Sequence, residues 1–310
     1  MRGIVSNKLT DFLYQVADSA STAIAQGVEL TPQLVRANLD KLSALIGEGP
    51  ALKYVKKTSL STPENTEIKV NIYSPAPKET LPVVLHFHGG GHMAGSIALY
   101  DSISRKIAKA GHCIVIAVEY RLAPEHLYPK GIDDCQYISA NYQQLLSELA
   151  FNEQLIIVGD SAGGAICTTL ASNNRHSNTI NINKQILIYP SVDYTMSCKS
   201  VEENGSGFLL EKSKIQWYFN HYFQESQSRE AASPLFMPID KHLPKTLIFT
   251  AGCDPLRDEG VVYKYALIAE GVCVEHHQFD DMIHAYMLLD ALVQDECEKT
   301  YQLIGEFIKK

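Results

Sequence analysis

The sequence predicts an α/β fold: a mainly parallel central sheet with helices on both faces. Three observations carry this. Short β-branched apolar runs recur between Leu81 and Phe279, they are apolar at nearly every position, and helical segments separate most of them. A strand that is apolar on both sides is buried on both sides, which crossover helices achieve for a parallel sheet.

The elements follow in chain order. Lys8 to Gly47 reads as two helices. Leu9, Phe12, Leu13, Val16 and Ala20 fall at helical spacing, and Thr31-Pro32 opens a second run through Leu34, Ala37, Leu39 and Leu42. Glu67–Pro75 alternates like a strand that its proline closes. The apolar strands are Pro82–His88, Cys113–Tyr120, Gln154–Gly159, Gln185–Pro190, Thr246–Gly252 and Val274–Phe279. Helices are expected at Ser102–Ala110, Ile132–Ala150, Gly163–Ser172, Val261–Glu270 and Leu288–Ile308. The alternation breaks between Val192 and Ser233, a helical insertion carrying Trp217, Tyr218, Phe219, Tyr222 and Phe223. With the N-terminal helices it would cap the C-terminal edge of the sheet, where open α/β sheets place ligands. The insertion's aromatics serve either as cap core or as pocket lining.

Composition narrows the class. The chain has 310 residues, 45% hydrophobic, enough for a large core. Its net charge is -8, and no basic run stands out, which argues against nucleic acid and anionic membrane surfaces as partners. The seven cysteines are scattered and lack CxxC spacing, so they read as reduced thiols of a cytoplasmic protein rather than a zinc site. The first residues lack the apolar core of a signal peptide, and no apolar stretch approaches the ~18 residues of a membrane span. Asn204-Gly205-Ser206 matches a glycosylation sequon but reads as a flexible Asn-Gly turn.

Chemistry concentrates at strand ends. Gly159-Asp160-Ser161-Ala162-Gly163 lies between an apolar strand and a small-residue helix, as a nucleophile elbow requires. Ser161 is either a helix N-cap or a nucleophile on a strained turn. The N-cap alternative leaves the flanking glycines unexplained. His86–Gly95, HFHGGGHMAG, also follows a strand. Its glycines would aim N–H groups at an oxyanion, and Gly89 and Gly90 with Ala162 are the expected donors. His88 would brace the loop, and Asp160 the turn. His86 and His88 lack a third metal ligand of recognisable spacing. Asp254 ends an apolar strand and His284 precedes the last helix, giving the order Ser161, Asp254, His284. Asp258, Glu259, Asp280 and Asp281 are rival acids, but Asp254 alone directly follows an apolar strand.

Taken together, HGGG (His88–Gly91), YRLAPEH (Tyr120–His126), GDSAGG (Gly159–Gly164), YPSVD (Tyr189–Asp193), DPLRDEG (Asp254–Gly260) and FDDMIH (Phe279–His284) resemble the hormone-sensitive-lipase-like esterases, bacterial family IV. The resemblance implies an α/β-hydrolase fold with a helical cap, no cofactor, short-chain acyl esters as substrates, and a homodimer. It makes Asp254 the triad acid. The expected division is residues 1–50 and 192–232 as cap, with 51–191 and 233–310 as catalytic domain. The chain departs from the family at His92 and Met93, where an aromatic residue usually follows HGGG, and at Asp281, where glycine is common. An added carboxylate at Asp281 would raise the pKa of His284. The candidate pocket walls are His92, Met93, Phe208, Trp217, Leu256 and Ile283. An amidase or deacetylase using the same triad is the alternative enzyme, and a non-catalytic small-molecule receptor the alternative outside enzymes.

Overall fold

The computed structural model describes residues 1–310. Its strands are β1 (Tyr54–Ser61), β2 (Glu67–Ser74), β3 (Leu81–Phe87), β4 (Ile114–Glu119), β5 (Phe151–Asp160), β6 (Ile182–Ile188), β7 (Lys245–Cys253) and β8 (Val274–Ile283). The helices are α1 (Thr10–Ala25), α2 (Pro32–Asp40), α3 (Asp101–Gly111), α4 (Lys130–Asn141), α5 (Ala162–Asn174), α6 (Lys199–Glu203), α7 (Lys212–Tyr222), α8 (Arg229–Ala232), α9 (Arg257–Ala269) and α10 (Gln294–Lys309). No helix is long and apolar enough to cross a membrane.

The strands form one sheet in the order β1-β2-β4-β3-β5-β6-β7-β8. Only the β1–β2 and β2–β4 pairings are antiparallel. Alternation along each central strand sends neighbouring side chains to opposite faces. Val84, Val115, Ile156, Val158, Ile186 and Phe249 pack with α3 and α10. Val83, Leu85, Ile114, Ile116, Ile157 and Ile248 pack with α4, α5 and α9. Each face buries a cluster of 33 residues, so both are covered alike, as the continuous apolar runs predict. A third, nine-residue cluster joins Ile215, Phe219 and Tyr222 of α7 to Tyr194, Phe223 and Leu256.

One strand escapes the sequence reading, and two helices run differently from expectation. β1 is an edge strand whose lysines, Lys56 and Lys57, interrupt the apolar signal; such charges keep an edge from pairing further. The helix expected over Ile132–Ala150 ends at Asn141 and tightens into a 3-10 turn. The last helix begins at Gln294, not Leu288. Tyr286, Met287, Leu288 and Leu289 are all buried, and a helix with one inward face cannot bury four successive residues.

Candidate active site

Ser161 sits between β5 and α5 with φ 51° and ψ -117°, a positive φ that costs a non-glycine residue about 1–3 kcal/mol. Its surroundings hold the turn in place. The Ser161 N–H donates to Ile188 O at 2.9 Å, and the Ser191 N–H donates to Ser161 O at 3.0 Å. The turn requires glycine on each side. A Cβ on Gly163 would lie 1.9 Å from Phe87 O, and one on Gly159 would lie 2.2 Å from Gly163 O. The Ser161 hydroxyl makes no capping bond to α5. It lies 2.9 Å from His284 Nε2 instead, so the N-cap explanation does not describe this serine.

His284 directly follows β8, and its Nδ1 lies 2.7 Å from Asp254 Oδ2. A carboxylate only accepts, so Nδ1 carries the proton and Nε2 is left to accept from Ser161. Asp254, just past β7, is fully buried, and its second oxygen accepts the Leu256 N–H at 2.8 Å. The rival acids are occupied elsewhere. Asp258 pairs with Arg257, Glu259 accepts the Val192 and Asp193 N–H groups, and Asp280 accepts from Gln278. No hydrogen bond or ion pair joins Asp281 to His284.

The glycine loop requires one correction. The Gly89 N–H donates to Asp160 Oδ1 at 2.8 Å, so it is not free to meet an oxyanion. The Gly90 and Gly91 N–H groups donate to no protein atom. Ala162 opens α5, where a helix N–H has no intrahelical acceptor. The open donors are therefore Gly90, Gly91 and Ala162. Gly91 was missed because the bond that occupies Gly89 joins residues far apart in sequence.

The loop is braced from beneath. Asp160 Oδ2 accepts the Tyr100 hydroxyl at 2.8 Å, and burial pushes the Asp160 carboxyl up to about 6. His88 Nδ1–H donates to Gly89 O at 2.7 Å and its ring stacks on Tyr120, 4.5 Å between centres. Burial pushes His88 down to about 4, so it stays neutral.

Most of the expected pocket walls turn inward. Met93 and Ile283 keep no accessible surface, so neither faces a cavity. His92 stacks on Tyr222 with 4.1 Å between ring centres and hydrogen-bonds the Tyr194 hydroxyl at 3.0 Å, which makes it part of the packing under α7. Leu256 joins the same cluster, and Phe208 lies buried under the Arg2 guanidinium. Only Trp217 is half-exposed, packed on His221. Tyr218, one of the insertion aromatics left open between cap core and pocket lining, covers the glycine loop: a Cβ on Gly91 would lie 2.9–3.2 Å from its ring atoms.

Asn204 also differs from expectation. It is no flexible turn but a fully buried brace. Its amide donates to Gly252 O and Asp254 O, both at 3.0 Å, and its Oδ1 accepts the Gly3 N–H at 3.0 Å. The N-terminal segment and the end of α6 are thereby fastened to the loop that carries Asp254. A separate recess of about 360 Å³, lined by Lys106, Asp290 and Tyr301 among others, shares no residue with this site. No cluster of three or more His, Cys, Asp or Glu side chains has metal-binding geometry.

Residues 84–288 match the family profile of the alpha/beta hydrolase fold. The chain is 30% identical to an ethyl acetate hydrolase of Pseudomonas putida, over 85% of each chain. It is 32% identical to the carboxylesterase NlhH of Mycobacterium tuberculosis, over 89% of this chain and 87% of that one. Among solved structures, an esterase of Pyrobaculum calidifontis superposes with a TM-score of 0.86 at 29% identity, covering 98% of both chains. An ester hydrolase from the metagenome of Lake Arreo gives 0.88 at 27%, covering 99% of this chain and all of that one. The profile spans well over half the chain and the relatives nearly all of it: this protein belongs to the alpha/beta hydrolase family.

Proposed function

We propose that this protein is a serine carboxylesterase of short-chain esters, with Ser161, His284 and Asp254 as its triad. The observation that carries the proposal is the unbroken chain from Asp254 through His284 to Ser161, 2.7 and 2.9 Å per link, beside glycine N–H groups that have no partner. Ser161 Oγ attacks the ester carbonyl carbon as His284 Nε2 takes its proton. The carbonyl oxygen becomes an oxyanion facing the Gly90, Gly91 and Ala162 N–H groups. Asp254 holds the imidazole tautomer and stabilises the imidazolium. The tetrahedral intermediate collapses, the C–O bond to the alcohol breaks, and His284 gives that oxygen its proton. Water then attacks the acyl-Ser161 ester with the same histidine as base, releasing the acid and restoring the hydroxyl.

Residues 1–50 and 192–232 act as a cap on the catalytic part, 51–191 and 233–310. Two contacts support this division. Arg36 of α2 donates to Met93 O at 2.8 Å and Ala123 O at 2.9 Å, and Tyr218 of α7 lies on Gly91. The tyrosine close to the glycine loop supports a preference for small acyl groups. Seven unpaired cysteines support a reducing, cytoplasmic setting, and the acidic charge weighs against nucleic acid. The homodimer implied by the family resemblance is read by sedimentation velocity.

The test is hydrolysis of p-nitrophenyl esters from acetate to decanoate, with a matched p-nitroanilide, by wild type and Ser161→Ala. Rapid turnover of short esters, reduced at least about a thousandfold in the variant, is expected. Equal rates in the two proteins would remove Ser161 from the mechanism, and preference for the anilide would make the enzyme an amidase.

A further inference from the structure

Lys214 lies in the first turn of α7, one turn before Tyr218 and two before Tyr222. Side chains at this spacing form a row on one side of a helix. The row begins at the glycine loop, where Tyr222 stacks on His92, continues where the Tyr218 ring covers Gly91, and ends at the Lys214 ammonium, 6.0 Å from the centre of that ring. Trp217 and His221, packed on each other, flank it.

The ammonium combines partial burial with the absence of any hydrogen-bonding or ionic partner. It makes no hydrogen bond or ion pair with any protein group, whereas its neighbour Lys212 pairs with Glu202. Glu211, one turn back, is the acid that acts on it electrostatically, yet the nearest bond of that carboxylate is from the Gly207 N–H at 3.3 Å. Lys214 is half-buried, and loss of surrounding water pushes its pKa below the ordinary lysine range. Part of the side chain stays accessible, so a ligand can reach the ammonium. Lys184, the other lysine that burial pushes down, shows the structural alternative: its ammonium is spent on Phe307 O and Ile308 O at the end of α10. A desolvated charge without a partner is costly, and a ligand that brings the counter-charge offsets that cost.

We propose that Lys214 is a specificity-determining residue that selects esters bearing a carboxylate, namely hemiesters of short dicarboxylic acids. The carboxylate meets the ammonium while the ester carbonyl lies at Ser161, and the acyl chain runs along the Tyr218 ring. The proposal rests on the esterase assignment above and adds the substrate class.

The experiment compares monoethyl adipate with ethyl hexanoate, whose acyl chains match in length and differ in the terminal carboxylate. Acid release is followed in a pH-stat near neutrality for wild type, Lys214→Met, Lys214→Arg and Lys214→Glu. The readout is the ratio of kcat/KM for the hemiester over the neutral ester. A charge-assisted hydrogen bond predicts a fall of about tenfold or more in Lys214→Met, retention within about threefold in Lys214→Arg, and the lowest ratio in Lys214→Glu. Added salt should lower the wild-type ratio. If Lys214→Met loses both activities, the Arg and Glu variants decide: different ratios support the proposal and equal ratios overturn it. A neutral-ester activity with a ratio indifferent to residue 214 overturns this proposal alone. A wild type inert to both esters and to p-nitrophenyl butyrate overturns the esterase assignment and this proposal with it.

Discussion

Asp160 offers a stability test whose sign follows from its surroundings. Its carboxyl is 3% exposed, accepts from the Gly89 N–H and the Tyr100 hydroxyl at 2.8 Å each, and is pushed by burial from 3.8 up to about 6. A folded pKa above the unfolded one means the folded protein binds the proton more tightly between the two values. The stabilising contribution is therefore complete below about pH 4 and is lost as pH rises through about 6. At about 1.4 kcal/mol per pH unit the whole loss reaches about 3 kcal/mol, of which about 2 falls between roughly pH 4.5 and 7.5. Asp160→Asn has no charge to desolvate and keeps a carbonyl acceptor for Gly89. Its amide meets the Tyr100 hydroxyl, which must turn to accept, at a pH-independent cost of about 1 kcal/mol. Urea unfolding of both proteins across that range gives the difference directly. The variant should gain about 2 kcal/mol relative to wild type as pH rises. A difference that stays flat, or moves the other way, refutes the view that Asp160 is a desolvated carboxylate held by neutral donors.

Two further substitutions probe the machinery. Asn204→Leu removes the two amide donors to Gly252 O and Asp254 O and leaves the Gly3 N–H unpartnered. It should lower kcat on p-nitrophenyl butyrate about tenfold or more and shift the acid limb of the pH–rate profile, because Asp254 is no longer held against His284. An unchanged profile would make Asn204 a packing residue only. Gly91→Ala adds a Cβ 2.9–3.2 Å from the Tyr218 ring at a backbone with φ 65°. It should cut kcat by about a hundredfold through the displaced donor. A normal kcat would return the oxyanion role to other N–H groups.

The legibility of the sequence follows the range of the interactions. The central strands are readable because each is apolar on both faces, a property of consecutive residues, whereas the edge strand β1 hides behind Lys56 and Lys57. Ser161, Asp254 and His284 are readable because each ends or follows a strand and carries its own local signature. What escapes is any role set by a partner distant in sequence. Gly89 looked like a donor equal to Gly90 until Asp160 took its N–H. His92 and Met93 looked like walls because they follow the glycine loop, but the chain turns there, with φ 59° at His92, and carries both inward. Asn204 showed only as an Asn-Gly pair, since its three partners lie about fifty or two hundred residues away.

The choice of base shows the same division between sequence and structure. His86, His88, His92 and His284 are all buried, and the first three crowd the glycine loop. Residue type alone makes them equal candidates to take a proton from Ser161. Burial without a counter-ion separates them. It pushes His86 to about 3, His88 to about 4 and His92 to about 3, so each is neutral at any pH near neutrality. Each also spends a ring nitrogen on a neutral partner: Ser104, the Gly89 carbonyl and Tyr194. An imidazolium formed at any of them would have no carboxylate to face. His284 has Asp254 at 2.7 Å on one nitrogen and the Ser161 hydroxyl at 2.9 Å on the other. In the proposed mechanism the proton taken from Ser161 can therefore be stabilised at His284 only, and the three other histidines build the loop proposed to face the oxyanion.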